Sequence, residues 1–162
     1  MLILNTGGTF NKRYNPLSGE MEVPFDNRAV EKILSTFTYE VELAGVIYKD
    51  SLDMGIDDRK MMAKIISASA QTHFIIIHGT DTMDMSALFL DEVLEDKVII
   101  LTGAMVPFEV DPVEATANLS MALGFAKCET SPGVYICMQG SVAKHDKIVK
   151  NRTLGKFELV QG

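Results

Sequence analysis

Short apolar runs alternate with amphipathic segments along most of this chain, and that alternation constrains the fold more than any other feature. Residues 74–77 (FIII) and 98–101 (VIIL) are continuous apolar runs rich in β-branched residues, as in strands that are covered on both faces. Residues 30–37 instead carry apolar side chains at i, i+3, i+4 and i+7, which is the spacing of a helix. Strands that alternate with helices join through right-handed crossovers into a parallel sheet. The sequence therefore predicts an α/β fold, a three-layer α/β/α domain with a mostly parallel, doubly wound, flavodoxin-like sheet.

The same patterns predict the order of the elements. Asp26 or Asn27 is expected to cap the first helix, and Asp111 to cap the last. Polar and turn-forming residues at 10–24 predict a loop that ends in a hairpin. The inner face of the second helix is predicted to consist of Met61, Met62, Ile65 and Ile66. The predicted strands lie at 2–4, 41–48, 74–77, 98–101 and 134–138, and the predicted helices begin near 28, 57, 83 and 112.

Charge and cysteine content exclude several classes of function. Lys and Arg total 15 against 22 Asp and Glu, a net charge of -7 with no basic run, which argues against nucleic acid or an anionic membrane surface as partner. No apolar stretch approaches the roughly 18 residues that span a bilayer. Cys128 and Cys137 match neither a metal-ligand spacing nor a redox motif. We therefore expect a cytoplasmic protein that acts without membrane contact.

Small and polar residues follow three of the predicted strands. They are residues 6–9 (TGGT), 78–82 (HGTDT) and 102–104 (TGA). Ligands of open α/β sheets bind at the carboxyl ends of the strands, where these segments would converge. Glycines there allow close approach of the backbone, and backbone amides can hold a carboxylate or a developing oxyanion. The pattern predicts a site for a small polar substrate.

Familiar motifs for other chemistries are absent. The sequence has no G-x-G-x-x-G, no P-loop and no G-x-S-x-G, and its three histidines lack metal-ligand spacing, so we expect no cofactor and no metal. His78 is expected to have a structural role at its strand end. Threonines remain as the candidate nucleophiles. Taken singly, the candidates have plain alternatives: a tight turn for 6–9, a helix cap for Thr80 and Asp81, a loop or cap for Ser51, an exposed loop for Tyr14 and a solvated basic face for Lys150.

Several segments together resemble the bacterial-type L-asparaginases. Residues 4–9 (LNTGGT) and 77–83 (IHGTDTM) are similar to the two signatures of that family, and 102–105 (TGAM) and 50–53 (DSLD) follow its order. The resemblance covers nearly the whole chain. It implies an amidohydrolase that converts L-asparagine to L-aspartate and ammonia by threonine attack, with weak activity on glutamine and no cofactor.

The resemblance also implies a role for each matching residue. Thr9 corresponds to the threonine that attacks the amide, and Tyr14 to the loop tyrosine that assists it. Thr80, Asp81 and Lys150 correspond to a second catalytic group, with Lys147 as the alternative lysine; which threonine attacks first stays open. In the family's pattern, Ser51 would bind the α-carboxylate of the substrate and Asp81 its α-ammonium. The full set of implied substrate-binding residues is Gly8, Ser51, Gly79, Thr80, Asp81 and Ala104.

The chain departs from the family in three ways. Typical members are about twice as long and carry a second domain that gives an acidic residue to a neighbouring subunit's site. This sequence ends after the lysine segment, which favours a naturally short form in which 1–162 is one domain with no second domain. Leu52 stands where the family often has glutamine, and the loop at 106–112 is short. We expect a homodimer or homotetramer; the alternative function is a non-catalytic or weakly active amino-acid-binding or regulatory module.

Overall fold

The computed structural model describes residues 1–160, in which six strands form the central sheet. Five of these strands are parallel, and the sixth is antiparallel at one edge. The strands in chain order are β1 (Leu2–Gly7), β2 (Arg13–Asn15), β3 (Glu20–Glu22), β4 (Glu42–Lys49), β5 (His73–Ile77), β6 (Val98–Thr102), β7 (Gly133–Met138), β8 (Ser141–Lys144), β9 (Ile148–Asn151) and β10 (Lys156–Leu159). The helices are α1 (Arg28–Leu34), α2 (Ile56–Ala68), α3 (Met83–Val93) and α4 (Pro112–Cys128).

The strand order across the central sheet is β4-β1-β5-β6-β7-β8. Its five parallel strands follow the 2-1-3-4-5 order of flavodoxin-like, doubly wound sheets, so the predicted fold class is confirmed. Because β1, β5 and β6 are neighbours, the turns that follow them lie side by side at the carboxyl edge of the sheet.

Alternate residues of the strands supply two separate cores. Ile3 and Ile75 pack with α1 and α4 on one face, and Leu4 and Ile76 pack with α2 and α3 on the other. All four side chains are fully buried. Burial of an aliphatic side chain of this size stabilises a fold by about 1.5–3 kcal/mol, so both faces of the sheet need their helices. These are the three predicted layers.

The helices begin within one residue of their predicted starts, but α1 ends at Leu34, before the end of the helical spacing at 30–37, and one face of α2 differs from the prediction. Asn27 is the N-cap residue of α1 but makes no side-chain cap, whereas the preceding Asp26 accepts from the amide of Arg28. Asp111 caps α4 as expected. The prediction that Met61 faces the core is wrong, because its side chain is 47% exposed. Only a narrow stripe of α2, centred on the buried Met62 and Ile66, contacts the sheet and α3.

Two antiparallel hairpins extend from the central sheet. The first, β2 paired with β3, lies within the loop predicted at 10–24. The second, β9 paired with β10, and the edge strand β8 were not predicted, since strands of four residues show too little periodicity. Within residues 1–160, no helix has the length and apolarity needed to cross a membrane.

Candidate active site

The turns after β1 and β5 meet through their glycines. Gly8, with φ of 70°, packs so closely that a β-carbon on it would lie 2.5 Å from the Cα of Gly79. Its amide donates to the carbonyl of Lys49 at 2.8 Å. A side chain at Gly8 would push the two turns apart. This contact places Thr9 and Thr80, which follow the two glycines, on adjoining turns.

Lys150 joins Thr80 and Asp81 into one hydrogen-bonded group. Its Nζ donates to Thr80 Oγ1 at 2.8 Å and to Asp81 Oδ1 at 2.8 Å. Thr80 is 5% exposed, and the side chains of Lys150 and Asp81 are 12% and 35% exposed. Lys147 instead pairs with Asp146 on the surface, so Lys150 is the lysine that contacts the threonine. A lysine beside a hydroxyl can take its proton once the amine is neutral, which is the arrangement that activates a weak nucleophile.

The second hairpin brings Lys150 to this position. Lys150 lies on β9 directly opposite Phe157 of β10. Ile148 and Phe157 are buried in the core cluster that contains α2 and α3. The Phe157 amide donates to Gln139 Oε1 at 2.9 Å, which ties the hairpin to the end of β7. Packing and this hydrogen bond together fix the lysine.

Gln139 also reaches the loop after β6. Its Nε2 donates to Glu114 Oε1 at 3.3 Å, and Glu114 Oε2 accepts from the amides of Met105 and Val106 at 2.9 and 3.1 Å. Gln139 and Glu114 therefore connect the hairpin that carries Lys150 to the loop that follows Ala104. Neither Glu114 nor Gln139 was predicted as a site residue, because neither shows a local sequence pattern that indicates these partners.

Asn118 hydrogen-bonds the backbone at two places on the carboxyl edge of the sheet, after β6 and after β7. Its Nδ2 donates to the carbonyl of Gly103 at 2.9 Å, and its Oδ1 accepts from the amide of Gln139 at 2.9 Å. Ala104, predicted to bind substrate through its backbone, lies beside Gly103 and is buried. The backbone after β6 is thus held on both sides of Ala104.

Ser51 lies beneath the turn that carries Thr80. Its Oγ accepts from the Asp81 amide at 3.2 Å, and its carbonyl accepts from Thr82 Oγ1 at 2.8 Å. A β-carbon on Gly79 would lie 2.6 Å from Ser51 Oγ. Ser51 is fully buried, so in this structure it supports the turn through backbone contacts.

An ion pair links the turn before Ser51 to the loop after Thr9. Lys12 Nζ lies 2.5 Å from Asp50 Oδ2, and the Asp50 carboxylate also accepts from the amide of Leu52. Burial alone would raise the pKa of Asp50, but the hydrogen bonds from Lys12 and Leu52 outweigh it and hold that pKa below its ordinary value. This pair was not predicted from the sequence.

Arg152 is a second cation on Asp81. Its Nη1 lies 3.3 Å from Asp81 Oδ1, and its Nη2 donates to the Asp81 carbonyl at 2.5 Å. The side chain is 60% exposed, yet both contacts are with the turn that bears Thr80. No sequence pattern predicts this contact, because it depends on the position of the hairpin that carries Lys150.

His78 anchors the same turn from inside the fold. Its Nδ1 donates to the Gly79 carbonyl at 2.7 Å, and its Nε2 accepts from Ser86 Oγ at 2.8 Å. Ser86 in turn accepts from Arg59 Nε at 3.0 Å. Burial lowers the pKa of His78 to about 4, so the imidazole is neutral at physiological pH. The expected structural role agrees with these contacts.

Thr9 and Tyr14 are less closely connected to this group. Thr9 is partly buried at the start of a short 3-10 turn, Thr9–Asn11. Tyr14 is 63% exposed on β2 and lines, with Arg13, Met21, Arg28, Glu109 and Val110, a cavity of about 360 Å³. Within residues 1–160, no hydrogen bond joins either side chain to Thr80, Asp81 or Lys150. The same residues contain no cluster of three or more His, Cys, Asp and Glu side chains that could hold a metal ion.

Comparison with known proteins decides the family. The model of the asparaginase N-terminal domain matches residues 1–157. The chain belongs to the asparaginase family. A protein of Haemophilus influenzae named probable periplasmic L-asparaginase is 29% identical over 93% of this chain and 46% of its own length.

Solved asparaginase structures share the fold of the chain. The thermostable L-asparaginase from Thermococcus kodakarensis has a TM-score of 0.85 at 22% identity, covering 98% of this chain and 50% of its own. The probable cytoplasmic L-asparaginase from Campylobacter jejuni has a TM-score of 0.77 at 24% identity, covering 98% and 52%. The chain spans about half the length of these three relatives.

Proposed function

We propose that this chain hydrolyses the side-chain amide of L-asparagine to L-aspartate and ammonia, with a threonine as nucleophile. The observation that carries the proposal is the contact of Lys150 Nζ with both Thr80 Oγ1 and Asp81 Oδ1, each at 2.8 Å. Membership of the asparaginase family supports it. An amine held between a hydroxyl and a carboxylate suits proton transfer to and from a threonine.

The chemistry proceeds in two halves. A threonine hydroxyl attacks the amide carbon while its proton passes to Lys150 Nζ. The tetrahedral intermediate then collapses, the C–N bond breaks, and the leaving nitrogen takes the proton and departs as ammonia. Water attacks the resulting ester, which releases aspartate and restores the hydroxyl. We assign the attack to Thr9 and the proton transfers to Thr80 and Lys150, with Tyr14 assisting after the β2–β3 hairpin closes.

Substrate binding is assigned to the turns that meet at the carboxyl edge. Asp81 offers a carboxylate that is 35% exposed for the α-ammonium, and the hydroxyl of Ser51 is assigned to the α-carboxylate. Backbone groups of Gly8, Gly79 and Ala104 would surround the reacting amide. Loss of one oxyanion donor costs about 10²–10³ in rate, so the hydrogen bonds that hold these turns matter for catalysis.

Ammonia release from L-asparagine by the purified protein tests this function. We expect turnover by the wild type and a loss of about 10²–10⁴-fold in kcat for Thr9→Ala and Thr80→Ala. L-Glutamine is expected to react more weakly. Stoichiometric binding of asparagine without turnover would instead establish the amino-acid-binding module as the function.

We further propose that residues 1–162 act as one domain in a homodimer or homotetramer in the cytoplasm. Both cysteines are free thiols, which suits a reducing compartment. Light scattering coupled to size exclusion measures the assembly, and a monomer at working concentration would contradict it. Fractionation of the cells that make the protein tests the location.

A further inference from the structure

The carboxylate of Asp81 is already surrounded by positive charge. Its Oδ1 receives Lys150 Nζ at 2.8 Å and Arg152 Nη1 at 3.3 Å. The Arg152 guanidinium alone balances the charge of the carboxylate, whether or not Lys150 holds its proton. The nearby lysines do not change that balance, because Lys12 pairs with Asp50 and Lys49 pairs with Asp58.

That charge opposes one part of an amino-acid substrate. An α-ammonium that approached Asp81 would meet a carboxylate that the Arg152 guanidinium already balances, and like charges at such distances repel. The position after Ser51 gives no compensation, because it is Leu52, whose apolar side chain is 70% exposed and cannot accept a hydrogen bond. A ligand without the ammonium would be affected neither by the charge repulsion nor by the missing hydrogen-bond acceptor.

We propose that Arg152 is a specificity-determining residue that weakens selection for the α-ammonium, so that the site also accepts ω-amides of simple dicarboxylic acids, such as succinamate. The inference rests on the proposed function, since it concerns the same pocket. The reaction is the same amide hydrolysis, which gives the dicarboxylate and ammonia. The guanidinium of Arg152 acts by occupying Asp81 and by favouring anionic ligands.

The position of Arg152 allows its charge to be removed cleanly. Its side chain is 60% exposed and lies outside both core clusters. Lys150 makes its own bonds to Thr80 and Asp81, and neither bond involves the guanidinium. Arg152→Gln should therefore alter the charge at Asp81 and leave the fold unchanged.

Calorimetric binding of L-aspartate and succinate, which differ in the ammonium, tests the proposal in the absence of turnover. We expect Arg152→Gln to raise the affinity for L-aspartate by ~five- to tenfold relative to the affinity for succinate. Arg152→Lys should keep the wild-type ratio because it keeps the charge. Lys64→Gln, the same loss of charge on the exposed face of α2, should also keep it.

Each outcome has a distinct meaning. An unchanged aspartate-to-succinate ratio in Arg152→Gln, while both ligands bind, overturns the inference and leaves the proposed function standing. A ratio in Arg152→Lys that matches Arg152→Gln overturns it as well, because charge would then not be the cause. Failure of every variant and of the wild type to bind either ligand overturns the proposed function and the inference together.

Discussion

Lys150 Nζ lies 2.8 Å from Thr80 Oγ1, although the two residues are 70 positions apart in the chain. Thr80 sits on the turn after β5, and Lys150 comes from a hairpin outside the central sheet. The catalytic assignment therefore depends on how that hairpin is held. Its support consists of buried apolar side chains and the bond from Phe157 to Gln139.

Removal of the lysine amine should abolish most turnover. Lys150→Met keeps the length of the side chain but can neither take nor return a proton, so we expect kcat for L-asparagine to fall by about 10²–10⁴-fold. Lys147→Met, the same change three residues earlier on an exposed side chain, should stay within twofold. Equal losses in the two variants would contradict the role of Lys150. Steady-state ammonia release measures both.

The ion pair between Lys12 and Asp50 should affect substrate binding. It joins the loop after Thr9 to the turn before Ser51, so Lys12→Met is expected to raise KM for L-asparagine several-fold. Lys49→Met breaks a comparable pair, with Asp58, that does not link these two segments and should leave KM unchanged. A KM that rises equally in both variants would show that the rise comes from the loss of a positive charge and not from the loss of the link between the two segments.

Gln139 should act as a positioning residue. Gln139→Leu removes the acceptor for the Phe157 amide and the donor to Glu114, which frees the hairpin that carries Lys150. We expect kcat to fall about tenfold while KM stays within twofold, because a displaced catalytic group lowers the rate more than binding. The matched control is Gln71→Leu, which loses an amide–carboxylate bond to Glu42 at the opposite edge of the sheet. A rise in KM with constant kcat in Gln139→Leu would contradict this role.

The sequence was sufficient to predict the fold and the edge of the sheet at which the candidate residues lie. Apolar runs such as 74–77 have one stable environment, a strand covered on both faces, so the sheet and its carboxyl edge follow from local pattern. The choice between Lys147 and Lys150 did not follow, because one turn of a 3-10 helix (His145–Lys147) decides which lysine lies on β9. The contacts of Arg152 and Gln139 depend on tertiary structure alone. The prediction for Met61 was wrong because helical spacing does not show how wide the buried face of α2 is.

His78 should make stability depend on pH. Burial lowers its pKa from 6.5 to about 4, so between these values the unfolded chain binds a proton that the folded protein does not. The contribution of His78 to stability is therefore fully present above pH 6.5 and is lost as the pH drops towards 4, by a total of about 3 kcal/mol. Denaturant unfolding of the wild type and His78→Gln at pH 7 and pH 4.5 measures this. The variant should lose less stability between the two values; equal losses would show that carboxylates account for the whole effect.

A crystal structure with L-aspartate tests the central claim most directly. The account predicts one molecule at the carboxyl edge of β1 and β5, with its amine on Asp81, its α-carboxylate on the Ser51 turn and its side-chain carboxylate within hydrogen-bond distance of Thr80 Oγ1. Aspartate bound elsewhere, for example in the cavity lined by Arg13, Tyr14 and Glu109, would contradict it. So would an empty site at a ligand concentration that saturates binding in solution.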